Sequence, residues 1–474
     1  MSSAPPLAIR NLTSTPLELK LIERYEAPGT ETHHHFSRIT RNITTLVNNT
    51  SPAVPQLDEN APPSSTEDVS IRLEPFQISK PEVQAAQMSG KEILRLTFEN
   101  EGERHRITTP SPQTQSQALQ PLAPNPRFQY TGIFIPKDSF LTLYSSANLQ
   151  CWMQELKDET PLSGISIPGT HNSPTYHKAL PSVRCQAVPP KAQLENGVRF
   201  FDIRVQPESP EDPSKDGLVL VHGVFPISLT GNKYFRDLVN IVRTFLDENP
   251  SETVIMSVKR EGSGNATDQQ LSCILRDHYA GDVGKWFTAP RIPTLGEVRG
   301  KITLMRRFAL DDRIKQEWDG AGWCIDAENW AYNTPNDTHG DVCVQDFCEV
   351  LETPTIEQKI TFCEDHFERA GCLTCPLPGI TTDAEHPVPP SPFYLNFLSA
   401  SNFWKVGCWP EKIAARLNPA VTEFLCEKHH ENGEGDGCLG IVVCDWVGKD
   451  GDWDLVRCIV GMNAKLEMRE REMR

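Results

Sequence analysis

The sequence lacks the features of proteins that cross a membrane, enter the secretory pathway or bind nucleic acid. No apolar run approaches the roughly 18 residues that a membrane-spanning helix needs. The N-terminal segment MSSAPPLAIRN has neither a basic region nor an apolar core, so a secretory signal is not expected. Acidic residues outnumber basic ones by 63 to 46, and the net charge of −17 gives no attraction to nucleic acid. We therefore expect a cytoplasmic protein that has no nucleic-acid partner and that contacts membranes only peripherally.

Cysteine is absent from the first 150 residues, although the remainder of the chain contains 14 cysteines. Without a secretory signal we expect these thiols to be reduced and mostly buried. The spacing of Cys363, His366, Cys372 and Cys375 loosely resembles that of a zinc site. Incidental thiols on a helix and its following loop are the simpler interpretation of that segment.

The chain of 474 residues is too long for one ordinary domain, and its pattern changes near residue 148. Before that point, short runs alternate apolar and polar residues, as half-buried strands do. Stretches rich in Pro, Ser and Thr at 48–68 and 108–127 are expected to be long loops or disordered. Residues 1–148 are predicted to form a small antiparallel β-sandwich whose function the sequence does not indicate.

Residues 149–474 instead repeat strand and helix patterns. Eight runs are candidate strands: SGISIPG, RFFDIRV, LVLVHG, TVIMSVK, ITLMRRF, VCVQDF, YLNFLSA and LGIVVCDWV. Such continuously apolar runs are typical of parallel strands that are buried on both faces. Between them, residues 235–246 carry apolar side chains on one helical face. The pattern predicts an α/β fold of the (β/α)₈ barrel type.

Polar residues follow or end these strands, at the end of a barrel where its chemistry is found. The set comprises His171, Asp202, Arg204, His222, Lys259, Arg306, Arg307, Asp346 and Asp445. Singly, a histidine at a strand end or an Asp-x-Arg pair is commonly structural. Together, cations can bind a phosphate, two histidines can act as general base and general acid, and a carboxylate can orient one imidazole. The combination favours cleavage of a phosphodiester.

Six motifs carry a resemblance to a known family: SIPGTHNS, LENGVRFFDIRV, LVLVHG, VIMSVKRE, GKITLMRRF and IVVCDW. In this order they resemble the bacterial type of phosphatidylinositol-specific phospholipase C, over roughly residues 155–460. The resemblance implies a distorted TIM barrel in which the inositol 2-hydroxyl attacks the phosphate. His171 would be the general base, oriented by Asp445, and His222 would be the general acid.

The resemblance also implies how the substrate is held. Arg204 would bind the phosphate, with Asp202 positioning it, and Asn172, Lys259, Arg307 and Asp346 would contact the substrate or its inositol ring. The substrate would be phosphatidylinositol or a related phospholipid, and the products diacylglycerol and inositol 1,2-cyclic phosphate. No cofactor is implied. Transient contact with the membrane surface would use apolar side chains of the loop GVFPISL, such as Phe225 and Ile227.

Two departures from the family pattern affect these expectations. Bacterial members have an aspartate paired to the general acid where this chain has Asn172, whose amide can hydrogen-bond His222 but cannot stabilise its charge. Calcium-dependent relatives have asparagine here as a metal ligand, but they have carboxylates where this chain has Arg204 and Lys259. Two cations would repel calcium, so we expect a metal-independent site.

The second departure is Cys348, which stands where bacterial members have an aromatic residue that stacks on the inositol ring. Trp318, Trp323 or Trp330 can rebuild that wall, or can pack in the core. Two other functions remain open from the sequence. One is a catalytically weak protein that binds phosphoinositide headgroups. The other is a glycerophosphodiesterase, although the acidic metal ligands of that group are not found.

Overall fold

The computed structural model describes residues 6–26, 57, 61–86, 92–110, 116–386, 388–431 and 433–471. The histidine run at 33–35 and most of the 48–68 stretch lie outside the described residues. The chain divides into two compact units, 1–146 and 147–474, next to the change of pattern in the sequence.

The first unit contains two five-stranded sheets. Its strands are β1 (Ala8–Asn11), β2 (Leu17–Glu26), β3 (Ser65–Leu73), β4 (Ile78–Ser79), β5 (Glu92–Asn100), β6 (Glu103–Thr109), β7 (Ser116–Ala118), β8 (Gln120–Pro121), β9 (Tyr130–Ile135) and β10 (Phe140–Ser145). The strand orders are β4-β1-β10-β9-β7 and β3-β2-β5-β6-β8. Ile9, Leu141, Leu19 and Leu96, two from each sheet, share one apolar core, so the predicted sandwich is confirmed.

Two details of the sandwich differ from the prediction. Strands β1 and β10 pair in parallel, so the sandwich is not purely antiparallel. The 108–127 stretch, expected to be loop or disorder, contains the short strands β7 and β8. Each pairs on one side only, with β9 and β6 respectively, and so forms a sheet edge. Such short edge strands carry little apolar sequence signal because few of their side chains enter the core.

The second unit is built on seven parallel strands in the order β17-β15-β12-β11-β22-β21-β20. Their bounds are β11 (Ile167–Thr170), β12 (Phe200–Pro207), β15 (Val254–Arg260), β17 (Ile302–Arg307), β20 (Val342–Asp346), β21 (Phe393–Phe397) and β22 (Ile441–Cys444). Shorter or antiparallel strands extend this sheet: β13 (Leu218–His222), β14 (Phe225–Pro226), β16 (Trp286–Phe287), β18 (Ile325–Asp326) and β19 (Thr334–His339). The α/β barrel prediction is confirmed.

The third predicted barrel strand is the exception. Strand β13 pairs antiparallel with β12, in the register Val205↔Leu220, and is a hairpin arm outside the parallel order. The connection between the two strands, residues 208–217, is shorter than the dozen or more residues that a parallel crossover needs. Residue His222 therefore returns towards the barrel mouth on an antiparallel strand.

The barrel is open on one side. Among the described residues no strand ladder joins β18 to the β19–β20 hairpin. The two sides are linked by Asp341, whose backbone N–H donates to the carbonyl oxygen of Asp326 at 2.8 Å. Its carboxylate accepts from the backbone N–H of Asp326 at 2.8 Å. This gap is the distortion of the TIM barrel.

Helices cover the outer face of the sheet. They are α1 (Pro190–Glu195), α2 (Phe235–Glu248), α3 (Asp268–His278), α4 (Leu295–Val298), α5 (Asp312–Lys315), α6 (Thr355–Gly371), α7 (Pro410–Glu427), α8 (Asp454–Gly461) and α9 (Ala464–Arg471). The predicted apolar face of α2 is buried along its whole length. No helix in the described part of the chain is long and apolar enough to cross a membrane.

Candidate active site

Adjacent strand ends bring His171 and Asp445 together. Strands β11 and β22 run parallel with Thr170 opposite Cys444, so the next residue of each chain segment emerges at the same edge. The backbone N–H of His171 donates to the carbonyl oxygen of Cys444 at 2.9 Å. The Nδ1 atom of His171 lies 2.9 Å from Oδ1 of Asp445. With Nδ1–H donating to the carboxylate, Nε2 is the nitrogen that can accept a proton.

The charge on Asp445 controls the basicity of this histidine. Burial alone would lower the pKa of His171, but the Asp445 carboxylate favours the imidazolium and raises the pKa well above its ordinary value. A histidine held in one orientation by a carboxylate is the arrangement of a general base.

Alternation along β12 points Asp202 and Arg204 into the barrel. Phe201, Ile203 and Val205 pack outward in the core that also contains the apolar face of α2. The intervening Asp202 is fully buried. Since successive side chains of a strand face opposite sides, Asp202 and Arg204 share the inner face.

Two guanidinium groups surround the Asp202 carboxylate. Arg204 Nη2 donates to Oδ2 at 2.9 Å, and Arg307 Nη1 donates to Oδ1 at 3.1 Å. Burial would raise the pKa of Asp202, but the two arginines hold it far below its ordinary value. The carboxylate therefore stays charged and fixes both cations at the barrel mouth.

Glu261 is a site residue that the sequence interpretation missed. Its Oε1 accepts from Arg204 Nη1, and its Oε2 accepts from the backbone N–H of Gly223 at 2.8 Å. Burial would raise the pKa of Glu261, but Arg204 and Lys259 lower it to about 2. Side chains two residues apart on a strand face the same side, so Glu261 is expected on the same face as Lys259. The sequence VKRE therefore already indicated Glu261 as a site residue.

The two histidines face each other across the site. The ring centroids of His171 and His222 are 5.8 Å apart and their planes are perpendicular. His222 Nδ1 lies 2.8 Å from the carbonyl oxygen of Val183 and 3.6 Å from Sγ of Cys185. Nδ1–H therefore donates to Val183, and Nε2 is the nitrogen that can deliver a proton.

Asn172 does not hydrogen-bond His222, contrary to the sequence expectation. It has a φ of 41°, its side chain is fully buried, and neither Oδ1 nor Nδ2 has a hydrogen-bond partner. Its backbone N–H donates to Oδ2 of Asp202 at 3.1 Å. That bond, with the left-handed backbone, fixes the turn after β11.

The remaining predicted residues line one wall. Lys259 Nζ lies 3.5 Å from Oε1 of Glu261. Asp346 Oδ2 accepts from the indole N–H of Trp330 at 3.0 Å, and the Trp330 ring lies 4.0 Å from the guanidinium carbon of Arg307. Trp330 therefore supplies an aromatic surface at the site.

The other two tryptophans of that segment do not join the wall. Trp323 is buried in the apolar core, and Trp318 is 55% exposed.

One group of side chains in the described part of the chain has donor atoms close enough to hold a metal ion. His171, Cys185 and Asp445 each place one such atom within 4.8 Å of the others. In this group, Nδ1 of His171 and Oδ1 of Asp445 are bonded to each other at 2.9 Å.

The loosely zinc-like segment does not form a site. Cys363 and His366 are buried on α6, while Cys372 is exposed on the following loop. Burial and the nearby Arg369 lower the pKa of His366 to about 3, which keeps it neutral in the core. Among the described residues, the donor atoms of this segment do not come together as a set of metal ligands.

Comparison with known proteins identifies the family. The family model of the phosphatidylinositol-specific phospholipase C X domain matches residues 159–308 of this chain. A 1-phosphatidylinositol phosphodiesterase of Staphylococcus aureus is 30% identical over 312 residues, covering 63% of this chain and 88% of that protein. The chain belongs to the phosphatidylinositol-specific phospholipase C family.

Other members of the phosphatidylinositol-specific phospholipase C family agree with this assignment. The 1-phosphatidylinositol phosphodiesterase of Listeria monocytogenes is 27% identical over 312 residues, covering 64% of this chain and 82% of that protein. A solved structure of a variant S. aureus phosphatidylinositol-specific phospholipase C superposes with a TM-score of 0.52 at 23% identity. It covers 66% of this chain and 97% of its own, which shows a shared fold. The resemblance stated from the six motifs is confirmed.

Proposed function

We propose that the protein cleaves phosphatidylinositol, or a closely related phospholipid, into diacylglycerol and inositol 1,2-cyclic phosphate. The observation that carries this proposal is the pair of facing imidazoles, 5.8 Å apart, with Asp445 bonded to one and guanidinium groups beside them. Nε2 of His171 takes the proton of the inositol 2-hydroxyl as its oxygen bonds to phosphorus. Nε2–H of His222 protonates the glycerol oxygen as its bond to phosphorus breaks.

Arg204 supports a mechanism that needs no metal ion. Its guanidinium has five N–H donors, and bonds to Asp202 and Glu261 engage each nitrogen once. The remaining N–H groups can contact phosphate oxygens and neutralise the charge of the transition state. Together with Arg307 and Lys259 this gives three cations where a calcium site needs converging oxygen ligands.

Contact with the lipid surface would use an aromatic cluster at the rim, defined by Phe225, Phe403 and Trp404. The rings of Phe225 and Phe403 stack at 5.5 Å, and Trp404 is 90% exposed next to them. Of the two residues expected from the sequence, Phe225 belongs to this cluster but Ile227 is buried. A cluster of exposed aromatic side chains beside the general acid fits insertion at a membrane interface. Such contact is compatible with a cytoplasmic, peripheral location.

The proposal is tested with the full chain and vesicles of phosphatidylinositol, following products by ³¹P NMR. We expect the cyclic phosphate signal to appear in EDTA, and His171→Ala and His222→Ala each to reduce turnover by about 10²–10⁴-fold with unchanged circular dichroism. Vesicle binding without turnover would instead favour the headgroup-binding alternative. Turnover that EDTA abolishes and calcium restores would contradict the metal-independent mechanism.

A further inference from the structure

In the described part of the chain, no carboxylate is bonded to the imidazole of His222, whereas Asp445 is bonded to that of His171. Nδ1 of His222 has two close neighbours, the carbonyl oxygen of Val183 at 2.8 Å and Sγ of Cys185 at 3.6 Å. A carbonyl accepts the Nδ1 proton but brings no negative charge to balance an imidazolium. Asn172, which follows His171, leaves its amide unbonded. Of the two neighbours of Nδ1, the sulfur of Cys185 is the one that can carry a negative charge.

The structure holds this sulfur firmly in place. Cys185 is 0% exposed, and its backbone N–H donates to Oγ1 of Thr175 at 3.1 Å. Its carbonyl oxygen accepts from the backbone N–H of Trp446 at 2.8 Å. Thr175 in turn donates to the carbonyl oxygen of Asn172 at 2.6 Å. The Cys185 loop is thus tied to the ends of both β11 and β22, the strands that deliver His171 and Asp445.

The imidazoles beside Cys185 favour its thiolate, whereas the carbonyl oxygen of Val183, 3.5 Å from Sγ, can accept from the neutral thiol. Burial and Asp445 would raise the pKa of the thiol, but the imidazoles of His222 and His171 oppose this and the pKa is lowered. Cys363 and Cys438 provide a comparison, because no imidazole of the described residues acts on them. Burial raises the pKa of each of these two thiols to about 11. A thiolate next to an imidazole is a stable charge pair in proteins.

We propose that Cys185 is the positioning residue of the general acid, its sulfur serving as the negative partner that keeps a proton on His222. This role rests on the proposed function. Before reaction, Cys185 is a thiolate and His222 an imidazolium whose Nδ1–H faces Val183 and the sulfur. In the transfer step the Nε2 proton moves to the glycerol oxygen as the phosphorus–oxygen bond breaks. His222 is left neutral with Nδ1–H in place, and a proton from water restores it.

Other titratable groups also face His222 and must be separated from Cys185. His171 lies opposite, at the end of β11, and its positive form disfavours the imidazolium. Glu261, at the end of β15, bonds to the backbone of Gly223 beside His222 and favours it. Asp445, bonded to Nδ1 of His171, raises the pKa of the Cys185 thiol. Titrating His222 in the Glu261→Gln variant as well measures how much Glu261 contributes to the pKa of His222.

The test compares Cys185→Ser and Cys185→Ala with Cys438→Ser. Cys438 is also buried, lies before β22 at the opposite end of the barrel, and donates to the carbonyl oxygen of Gly164 at 2.9 Å, as a serine hydroxyl can. General acid catalysis requires protonated His222, so loss of the anionic partner lowers the pH at which activity declines. We expect kcat/KM of the Cys185→Ser and Cys185→Ala variants to fall by about 10²-fold. The decline of kcat/KM at high pH should begin at a lower pH in both variants. Cys185→Asp should return this decline to its wild-type pH, and Cys438→Ser should match the wild type.

A second measurement does not depend on activity. The His222 imidazole is titrated by NMR in the wild type and in Cys185→Ser, with circular dichroism reporting the fold. A lower His222 pKa in the variant supports the proposal, and an unchanged pKa overturns it even if activity is lost. If the wild type shows no turnover, the proposed function fails while the titration still decides whether Cys185 supports the charge on His222.

Discussion

At the residue scale, the candidate site consists of charges that hold one another in place. Asp202 bonds to Arg204 and Arg307, and Glu261 bonds to Arg204 on its other side. Removing one member of such a buried network leaves its partner charged and unpaired, which costs about 3–5 kcal/mol. The positions of the cations that we propose to bind phosphate are therefore set by the whole network and not by any single side chain.

Asp445→Asn should change the pH dependence of the reaction as well as its rate. Asp445 raises the pKa of His171, and a general base acts only when unprotonated, so wild-type activity should rise as the pH passes through this raised value. Without the carboxylate the pKa of His171 falls, and the acidic limb of kcat/KM should move to lower pH. The maximal rate should drop by about 10²-fold or more because the imidazole loses its orientation. An acidic limb of kcat/KM at the same pH in the wild type and the variant would mean that Asp445 does not control the pKa of His171.

Glu261→Gln should impair phosphate binding through Arg204. The amide keeps the size of the side chain but removes the charge that fixes the guanidinium, and misplacing such a group costs up to about 10²-fold in rate. Glu317→Gln is the matched control, because Glu317 bonds to Arg276 at 2.8 Å outside the site. Steady-state kinetics of both variants check this expectation. Equal kinetics for the two variants would exclude a role for Glu261.

At the element scale, the β13–β14 hairpin and the loop after β21 form the part of the rim beside His222. β13 ends at His222, and β14 carries Phe225 against Phe403 of the loop that follows β21. One hairpin thus carries a catalytic candidate and part of the aromatic cluster. The surface that we propose for lipid contact is therefore adjacent to the proposed general acid.

Phe403→Ser with Trp404→Ser should weaken vesicle binding while preserving turnover of a water-soluble inositol phosphodiester. Transfer of each aromatic side chain into the interface contributes about 1.5–3 kcal/mol when it is fully buried, so the pair should matter by at least tenfold. Val283→Ser, an exposed apolar position before β16, serves as control. Binding that falls steeply with salt would indicate charge attraction instead.

At the scale of the whole molecule, the chain has separate cores for its two units. Among the described residues, the sandwich core is formed by side chains within 7–143, and the two barrel cores by side chains from 149 onward. Each unit therefore buries its own apolar side chains.

A chain of residues 147–474 should fold alone and retain the phosphodiesterase activity of the full protein. Calorimetry of the full chain should show two unfolding transitions, one of which disappears in the shorter chain. Insoluble or inactive 147–474 protein would mean that the sandwich is needed for the stability of the barrel.

The sequence by itself determined the parts of the protein that depend on local pattern. Runs of apolar residues located all seven parallel strands, and the residues after β11 and β22 identified His171 and Asp445 because parallel neighbours end at one edge. The same alternation could have identified Glu261, which lies two residues beyond Lys259. The strand-end pattern also identified His222, and the family motifs indicated its role, although β13 runs antiparallel to β12 and is not one of the parallel strands.

Only the tertiary structure decided which side chains complete the site across long loops. Cys185 and His222 are 37 residues apart, and Trp330 meets Asp346 across a separate hairpin. No periodicity connects such pairs, because loop conformation is set by backbone hydrogen bonds such as that between Trp446 and Cys185. The direction of β13 was likewise decided by the length of a loop, since ten residues allow a hairpin but not a crossover.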